Sequence, residues 1–355
     1  MKSGHEQPLM KAIIQTRYGT ADDLRLQDVE RPVPKDNEVL VKVHASSVHA
    51  DVWHVIYGLP YALRLMGAGL RRPKNPIPGS DIAGVVESVG KNVRHFKPGD
   101  AVFGETHRAM QWVNGGAYAE YVSVPEDVIA HKPPNVTFEA AASVPTSGYI
   151  ALLNLRQFGG LRAGTKVLIN GAGGAVGTVA VQISKAFGAY TVAVDRAEKL
   201  PMLLDLGADQ VIDYTKHDIT KMADHYDLIF DVPSNRPFSE MRRALSPEGI
   251  YVMIGHDHFG KLGRRVLGSI PTMFKLMAMS LFVKQLPRPV FSMPAKKDVI
   301  SVLKELMENG KLTPIIDRSF PLAEVPAAIR YLQEDRPIGK VVITMCDQSH
   351  YKKLK

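Results

Sequence analysis

One seven-residue stretch, Gly171-Ala172-Gly173-Gly174-Ala175-Val176-Gly177, constrains the folding of this chain more than any other. The apolar run Lys166-Val167-Leu168-Ile169-Asn170 precedes it, and Val179, Ala180, Ile183 and Ala186 follow at helical spacing. The stretch therefore reads as a strand turning into a helix. Glycines at such a turn let backbone N–H groups approach an anion with no Cβ in the way, and the helix start adds unpaired donors and a positive dipole end. Gly188-Ala189 ends the helix, and Tyr190-Thr191-Val192-Ala193-Val194 reads as the second strand of a βαβ unit. A glycine cluster alone would also suit a surface turn. In this context it implies a pyrophosphate cradle, with Gly171, Gly173, Gly174, Ala175, Val176 and Gly177 as cofactor-binding positions.

An acidic residue at the end of the second strand, about 20 residues further on, would bond the adenosine ribose of NAD. Asp195 stands there, followed by Arg196 and Lys199, two cations suited to the extra phosphate of NADP. The cues conflict. In the bland alternative, Asp195 caps a helix over 197–206 and both cations are solvated.

At 355 residues the chain is comfortable as two domains. A hydrophobic share of 45% and a charged share of 23% fit a globular protein. The net charge of +8 permits anionic partners, but the cations are spread along the chain with no polybasic tract, so no nucleic-acid partner is expected. A single cysteine, Cys346, excludes intramolecular disulfides and a cysteine-rich structural zinc site, and fits a reducing, cytoplasmic setting. Residues 1–9 are polar and lack the apolar core of a signal peptide, and no run is long enough to span a bilayer. The nearest approach is 270–283, which Pro271 and Lys275 interrupt. It reads as a membrane-surface helix or, in preference, as a pocket wall or subunit contact.

Short β-rich segments separated by Pro and Gly fill the leading part, at 12–15, 39–44, 82–89, 101–103 and 117–124, and imply an all-β region. Strands at 167–170, 191–194, 210–213, 228–231 and 250–255 then alternate with helices, implying a parallel sheet covered on both faces. Helices at 296–307 and 325–332 and a strand at 340–344 complete the chain. The expected fold is α/β, a β-rich domain followed by a doubly wound parallel-sheet domain. The boundaries expected are 1–145, 146–290, and a return segment 291–355 that completes the first domain.

Three motifs lie in the leading region: Pro78-Gly79-Ser80-Asp81-Ile82-Ala83-Gly84-Val85-Val86-Glu87-Ser88-Val89-Gly90, Pro98-Gly99-Asp100-Ala101-Val102-Phe103-Gly104, and Gly115-Gly116-Ala117-Tyr118-Ala119-Glu120-Tyr121. They resemble the GroES-like catalytic domain of the medium-chain dehydrogenase/reductase superfamily. Leu206-Gly207-Ala208-Asp209, Val211-Ile212-Asp213-Tyr214 and Gly339-Lys340-Val341-Val342-Ile343 are similar to its quinone oxidoreductase-like branch. The resemblance spans nearly the whole chain. It implies a GroES-like domain and a Rossmann domain, an NAD(P)H-dependent oxidoreductase that works without zinc, a cleft between the domains, and a homodimer.

The alcohol-dehydrogenase branch of the same superfamily closes a Cys, a His and a further Cys or acid around a catalytic zinc. Here His49 looks like the first ligand position, Gly79-Ser80-Asp81 replaces the Gly-His-Glu motif, and the third position falls near Ser143. One good ligand survives. Gly4-His5-Glu6 copies the triplet but lies outside the matching region. A rescued site would have to draw on His49, Asp51, His54 or Asp81.

Without a metal, a positioned acid must supply the proton while the nicotinamide supplies hydride. The resemblance puts His49, Asp51, His54 and Tyr57 on the substrate side as donors or carbonyl-orienting groups, and Ser147 near the nicotinamide; for each, a structural role is the alternative. It sets Lys199, Tyr214 and Arg336 beside the adenosine 2′-phosphate, which leans the balance to NADP(H) with NAD(H) still open. Residues 57–72 and 259–282 would shape walls suited to apolar quinones or enones. The competing functions are a zinc-dependent alcohol dehydrogenase and a nucleotide-responsive RNA-binding protein.

Overall fold

The computed structural model describes residues 8–108, 113–255, 265–290, 293–334 and 337–345. They form two compact units, one drawn from Met1–Thr146, Arg318–Arg336 and Val341–Lys355, the other from Ser147–Asp317 and Pro337–Lys340.

In the first unit β1 (Leu9–Ile14) pairs antiparallel with β2 (Arg25–Glu30), a strand so polar that its sequence gives no alternation to read. The long β3 (Glu38–Val48) is the hub of a larger sheet. It pairs antiparallel with β4 (Asp81–Val89), which pairs with β5 (Ala101–Glu105). β6 (Tyr121–Pro125) pairs with β3, and β7 (Ile129–His131) with β5. The strand expected over 117–124 thus starts at Tyr121, because the preceding residues bend to place Ala119 against Ala12. The leading region is not purely β either: helices Val52–Tyr57 and Tyr61–Leu63 lie in it.

The second unit carries five strands: β8 (Lys166–Asn170), β9 (Tyr190–Asp195), β10 (Gln210–Asp213), β11 (Tyr226–Asp231) and β12 (Leu245–Met253). All their pairings are parallel and the spatial order is β10-β9-β8-β11-β12, the 3-2-1-4-5 arrangement of a doubly wound nucleotide fold. Such strands are buried on both faces, which is why they read as continuous apolar runs. Leu168, Val192, Val194, Ile229 and Tyr251 share one core cluster at 2% exposure or less. Each side chain fully buried there contributes about 1.5–3 kcal/mol. The helix expected over 197–206 divides into a turn, Ala197–Lys199, and a helix, Leu200–Asp205.

The chain then returns through β13 (Ile316–Pro321) and β14 (Lys340–Thr344). β14 pairs antiparallel with β3, Val341 opposite Val48, and β13 closes that edge. Helix Val325–Glu334 packs Val325, Ala328 and Ile329 into the same cluster as Ile13, Val48 and Ile343.

Candidate functional site

Two groups of side chains carry chemistry, one in each unit. In the second unit β8 ends in the turn foreseen from the glycines. Gly171 takes φ +76°, a left-handed conformation that glycine adopts freely, and the N–H groups of Gly171 and Ala172 both donate to Val194 O at 3.0 Å. Helix Ala175–Ala186 starts immediately afterwards, with Gly174 as its N-cap.

The glycines have different reasons to be glycine. A Cβ on Gly177 would lie 2.2 Å from Gly171 O, and one on Gly173 would lie 2.5 Å from Lys199 Cδ and 3.0 Å from Asp195 Oδ2. A Cβ on Gly174 would meet nothing nearer than Gly171 O at 3.7 Å. Packing within the chain does not require glycine at 174. What it preserves is open room in front of the helix N-terminus, where the N–H groups of Ala175 and Val176 lack intrahelical partners. That is the space and polarity a pyrophosphate needs.

Asp195 is 7% exposed and holds the turn: Oδ2 accepts from Gly173 N at 2.7 Å and Oδ1 from Arg196 N at 2.9 Å. It does not cap the following turn, whose N-cap is Arg196. Lys199 is equally buried, donates from Nζ to Pro337 O at 2.9 Å, and is pushed down by burial against the pull of Asp195. Arg196 and Tyr214 come together at the ends of β9 and β10, with Arg196 Nε donating to the Tyr214 hydroxyl at 3.0 Å. Arg336 lies outside the described residues.

Sequence reasoning gave Gly339 and Lys340 no part in this site. Gly339 N donates to Gly173 O at 3.0 Å, and the 3% exposed Lys340 donates from Nζ to Ser147 Oγ at 3.2 Å. Ser147 sits inside helix Pro145–Leu153 rather than at its cap. The signal was a lysine opening an otherwise apolar strand directly after glycine, which by composition alone reads as a solvated strand end.

In the first unit a pocket is lined by Ser47, His49, Asp51, Ser80, Asp81, Tyr118 and Thr146, among others. Asp81, 1% exposed at the start of β4, accepts from Ser47 Oγ at 2.6 Å, Thr146 N at 2.9 Å and Thr146 Oγ1 at 2.6 Å. Tyr118 donates to Ser47 O at 3.2 Å, and burial together with the Asp81 charge pushes its phenol well above the usual range. His49 Nδ1 pairs with Asp51 Oδ1, both side chains largely buried. A carboxylate on one ring nitrogen fixes the tautomer and orientation of the imidazole.

His54 and Tyr57 do not line this pocket. His54 donates from Nδ1 to Leu59 O at 2.7 Å, and burial lowers its pKa. The Tyr57 hydroxyl accepts from Gln333 Nε2 at 3.0 Å. Both bonds tie helix Val52–Tyr57 to its surroundings.

The donor set does not fit a zinc of the alcohol-dehydrogenase kind. Both Asp81 oxygens already accept strong bonds, and Ser80 Oγ lies 3.4 Å from His107 Nε2. Ser143 Oγ donates back to Ala140 O at 2.7 Å. Serine is a poor ligand, and tetrahedral zinc wants thiolate, imidazole or carboxylate at open positions. Among the described residues no group of three or more His, Cys, Asp or Glu side chains is placed to hold a metal.

Residues 35–134 match the family described as alcohol dehydrogenase GroES-like domain, and residues 206–343 the family described as zinc-binding dehydrogenase. The chain is 31% identical to 2-methylene-furan-3-one reductase of Solanum lycopersicum over 343 residues, covering 94% of this chain and 79% of the relative. It is also 31% identical to the chloroplastic NADPH-dependent alkenal/one oxidoreductase of Arabidopsis thaliana, covering 94% and 79%. The solved quinone oxidoreductase of Coxiella burnetii superposes with a TM-score of 0.79 at 25% identity, covering 96% of this chain and all of that one. With its strand order, its glycine turn and these relatives together, the chain belongs to the medium-chain dehydrogenase/reductase superfamily, in its quinone oxidoreductase-like branch of NAD(P)H-dependent oxidoreductases.

Proposed function

We propose that this chain delivers hydride to the conjugated system of an apolar enone or quinone, at the β-carbon of an enone, using NADP(H) in preference to NAD(H) and no zinc. The observation that carries the reading is the open room at Gly174, in front of a helix N-terminus at the carboxyl end of the first parallel strand. The bound nicotinamide supplies a hydride; the rest of the chemistry falls to the chain's own residues. The N–H groups of Ala175 and Val176 at the helix start would bind pyrophosphate. Arg196 and Tyr214 offer a cation and a hydroxyl to a 2′-phosphate, while both Asp195 oxygens are spent on backbone N–H groups. The names of two relatives support the substrate class, an alkenal/one oxidoreductase and a furanone reductase.

His49, oriented by Asp51, is the proposed proton source for the oxygen or enolate that develops charge. Conjugation spreads that charge, which lessens the need for a Lewis acid. The engaged oxygens of Asp81 and the serines at 80 and 143 support the zinc-free part of the reading. A homodimer and a reducing compartment such as the cytoplasm belong to the same proposal, the first on the family resemblance and the second on the single cysteine. The test is NADPH and NADH oxidation with a panel of quinones, enones and aldehydes. Turnover of a conjugated acceptor with chelator present supports the reading, and turnover of aldehydes alone, restored by zinc, rejects it.

A further inference from the structure

We propose that the exposed ridge of helix Ile270–Met279, continued by Leu281 and Phe282, rests on the surface of an anionic lipid bilayer. No residue of this helix is fully buried. Leu276, Met279 and Val283 pack on the core of the second unit. Two rows face away: Met273, Met277 and Leu281 at steps of four, and beside them Phe274 and Phe282 eight apart, at 49% to 88% exposure. A contiguous apolar ridge of this kind marks an interaction surface.

Charge selects the occupant. The cations are spread along the chain, but the acids are not. Residues 258–297 contain eight Lys or Arg and no Asp or Glu. The whole chain has 44 cations and 36 acids, so its entire excess of +8 falls in these 40 residues and the other 315 are balanced, 36 against 36. Arg265, Lys275, Lys284, Arg288 and Lys297 are the exposed cations of the described part, and Lys296 is half-buried. Lys284 lies 3.7 Å from Glu248 with both side chains about three-quarters exposed, a pair worth little against a charged surface.

A second copy fits this face poorly, because an isologous contact would set one net-cationic face on another. An anionic bilayer meets both features, with the apolar rows at the acyl boundary and the cations at headgroup level. Ten helical residues rise about 15 Å, half of a hydrocarbon core, so the helix lies on the membrane and does not cross it.

The test is co-sedimentation of the full chain with vesicles of phosphatidylcholine alone or with a third phosphatidylglycerol, at low and high salt. Binding to the anionic vesicles is expected, at least tenfold above the neutral ones and weakened at high salt. Each cation near the surface contributes about fivefold. Phe274→Glu with Phe282→Glu should lower the partition at least tenfold with the melting temperature held, since both rings are exposed. Lys275→Glu, which leaves the apolar rows intact, should lower it about fivefold or more. Absence of binding to anionic vesicles, or equal binding by both variants, overturns the proposal. So does a wild-type dimer in light scattering that ignores vesicles and dissociates in the double variant, which would give the face to a second copy.

Discussion

Replacing Gly174 by aspartate separates a glycine kept for a ligand from one kept for the fold. A side chain at 174 meets nothing closer than 3.7 Å, and the position is an extended N-cap with φ −89° and ψ −179°. Aspartate is among the best N-caps, so folding stability should hold or rise by a few tenths of a kcal/mol. The same carboxylate would stand where the pyrophosphate must come. At about 4 Å and an effective dielectric near 20, two like charges repel by about 4 kcal/mol, roughly a thousandfold in Kd. Gly177→Ala is the counterpart. Its Cβ would lie 2.2 Å from Gly171 O and 2.6 Å from Ala172 Cα, backbone atoms that cannot swing aside. Overpacking of that kind costs about 1–3 kcal/mol, roughly 2–12 °C in Tm for a unit of this size. Calorimetric titration with NADPH and thermal melts of both variants read the two effects separately. A folded Gly174→Asp protein with unchanged NADPH affinity refutes the cradle, and an unfolded one refutes the claim that position 174 is open.

Four further outcomes follow from the same geometry. Asp195→Asn should raise the NADPH-to-NADH affinity ratio by roughly tenfold, about 1.4 kcal/mol, by removing a negative charge near the proposed 2′-phosphate; an unchanged ratio places the carboxylate away from the adenosine ribose. His49→Gln keeps a polar side chain beside Asp51 but cannot titrate, so kcat should fall about a hundredfold and the pH–rate profile should lose a limb; an unaltered profile removes His49 from proton supply. His54 is held below its ordinary range by burial, so its contribution to stability is full above pH 6.5 and is lost as pH falls toward the lower folded value, where the unfolded chain takes up a proton the folded chain refuses. His54→Gln should therefore narrow the drop in Tm on acidification; His44, lowered the same way, leaves a remainder, and an unchanged drop contradicts the assignment. Ser147→Ala takes one hydrogen-bond partner from the buried Lys340 ammonium and should cost about 1–3 kcal/mol in urea denaturation, a loss that an unchanged midpoint would deny.

Legibility in the sequence followed burial. The parallel strands announced themselves because both of their faces are apolar, and the glycine turn because backbone geometry there admits few other residues. β2 was invisible because Arg25–Glu30 is polar at four of its six positions, with Leu26 and Val29 out of alternation, and its pairing with β1 is a long-range fact. β7, three residues long, leaves no periodicity to find. At the candidate site, residue types were visible and partners were not. Asp81 reads as a displaced metal-ligand position until Ser47 and Thr146 are seen to occupy its oxygens. Asp195 stands where a ribose carboxylate belongs, yet its bonds to Gly173 and Arg196 make it a brace for the turn. Lys340 is hardest of all, since nothing local says that a strand-opening lysine points inward to a serine 193 positions earlier.

The central claim is metal-free hydride delivery to a conjugated carbon, and its most direct measurement follows the hydride itself. Metal-analysed protein would be given NADPH deuterated at the transferring C4 position and a simple enone, with and without chelator. Mass spectrometry of the product should show one deuterium on the β-carbon, at a rate the chelator leaves unchanged and with zinc well below one atom per chain. A product labelled at the carbonyl carbon instead, or a rate that chelator abolishes and zinc restores, would contradict the account.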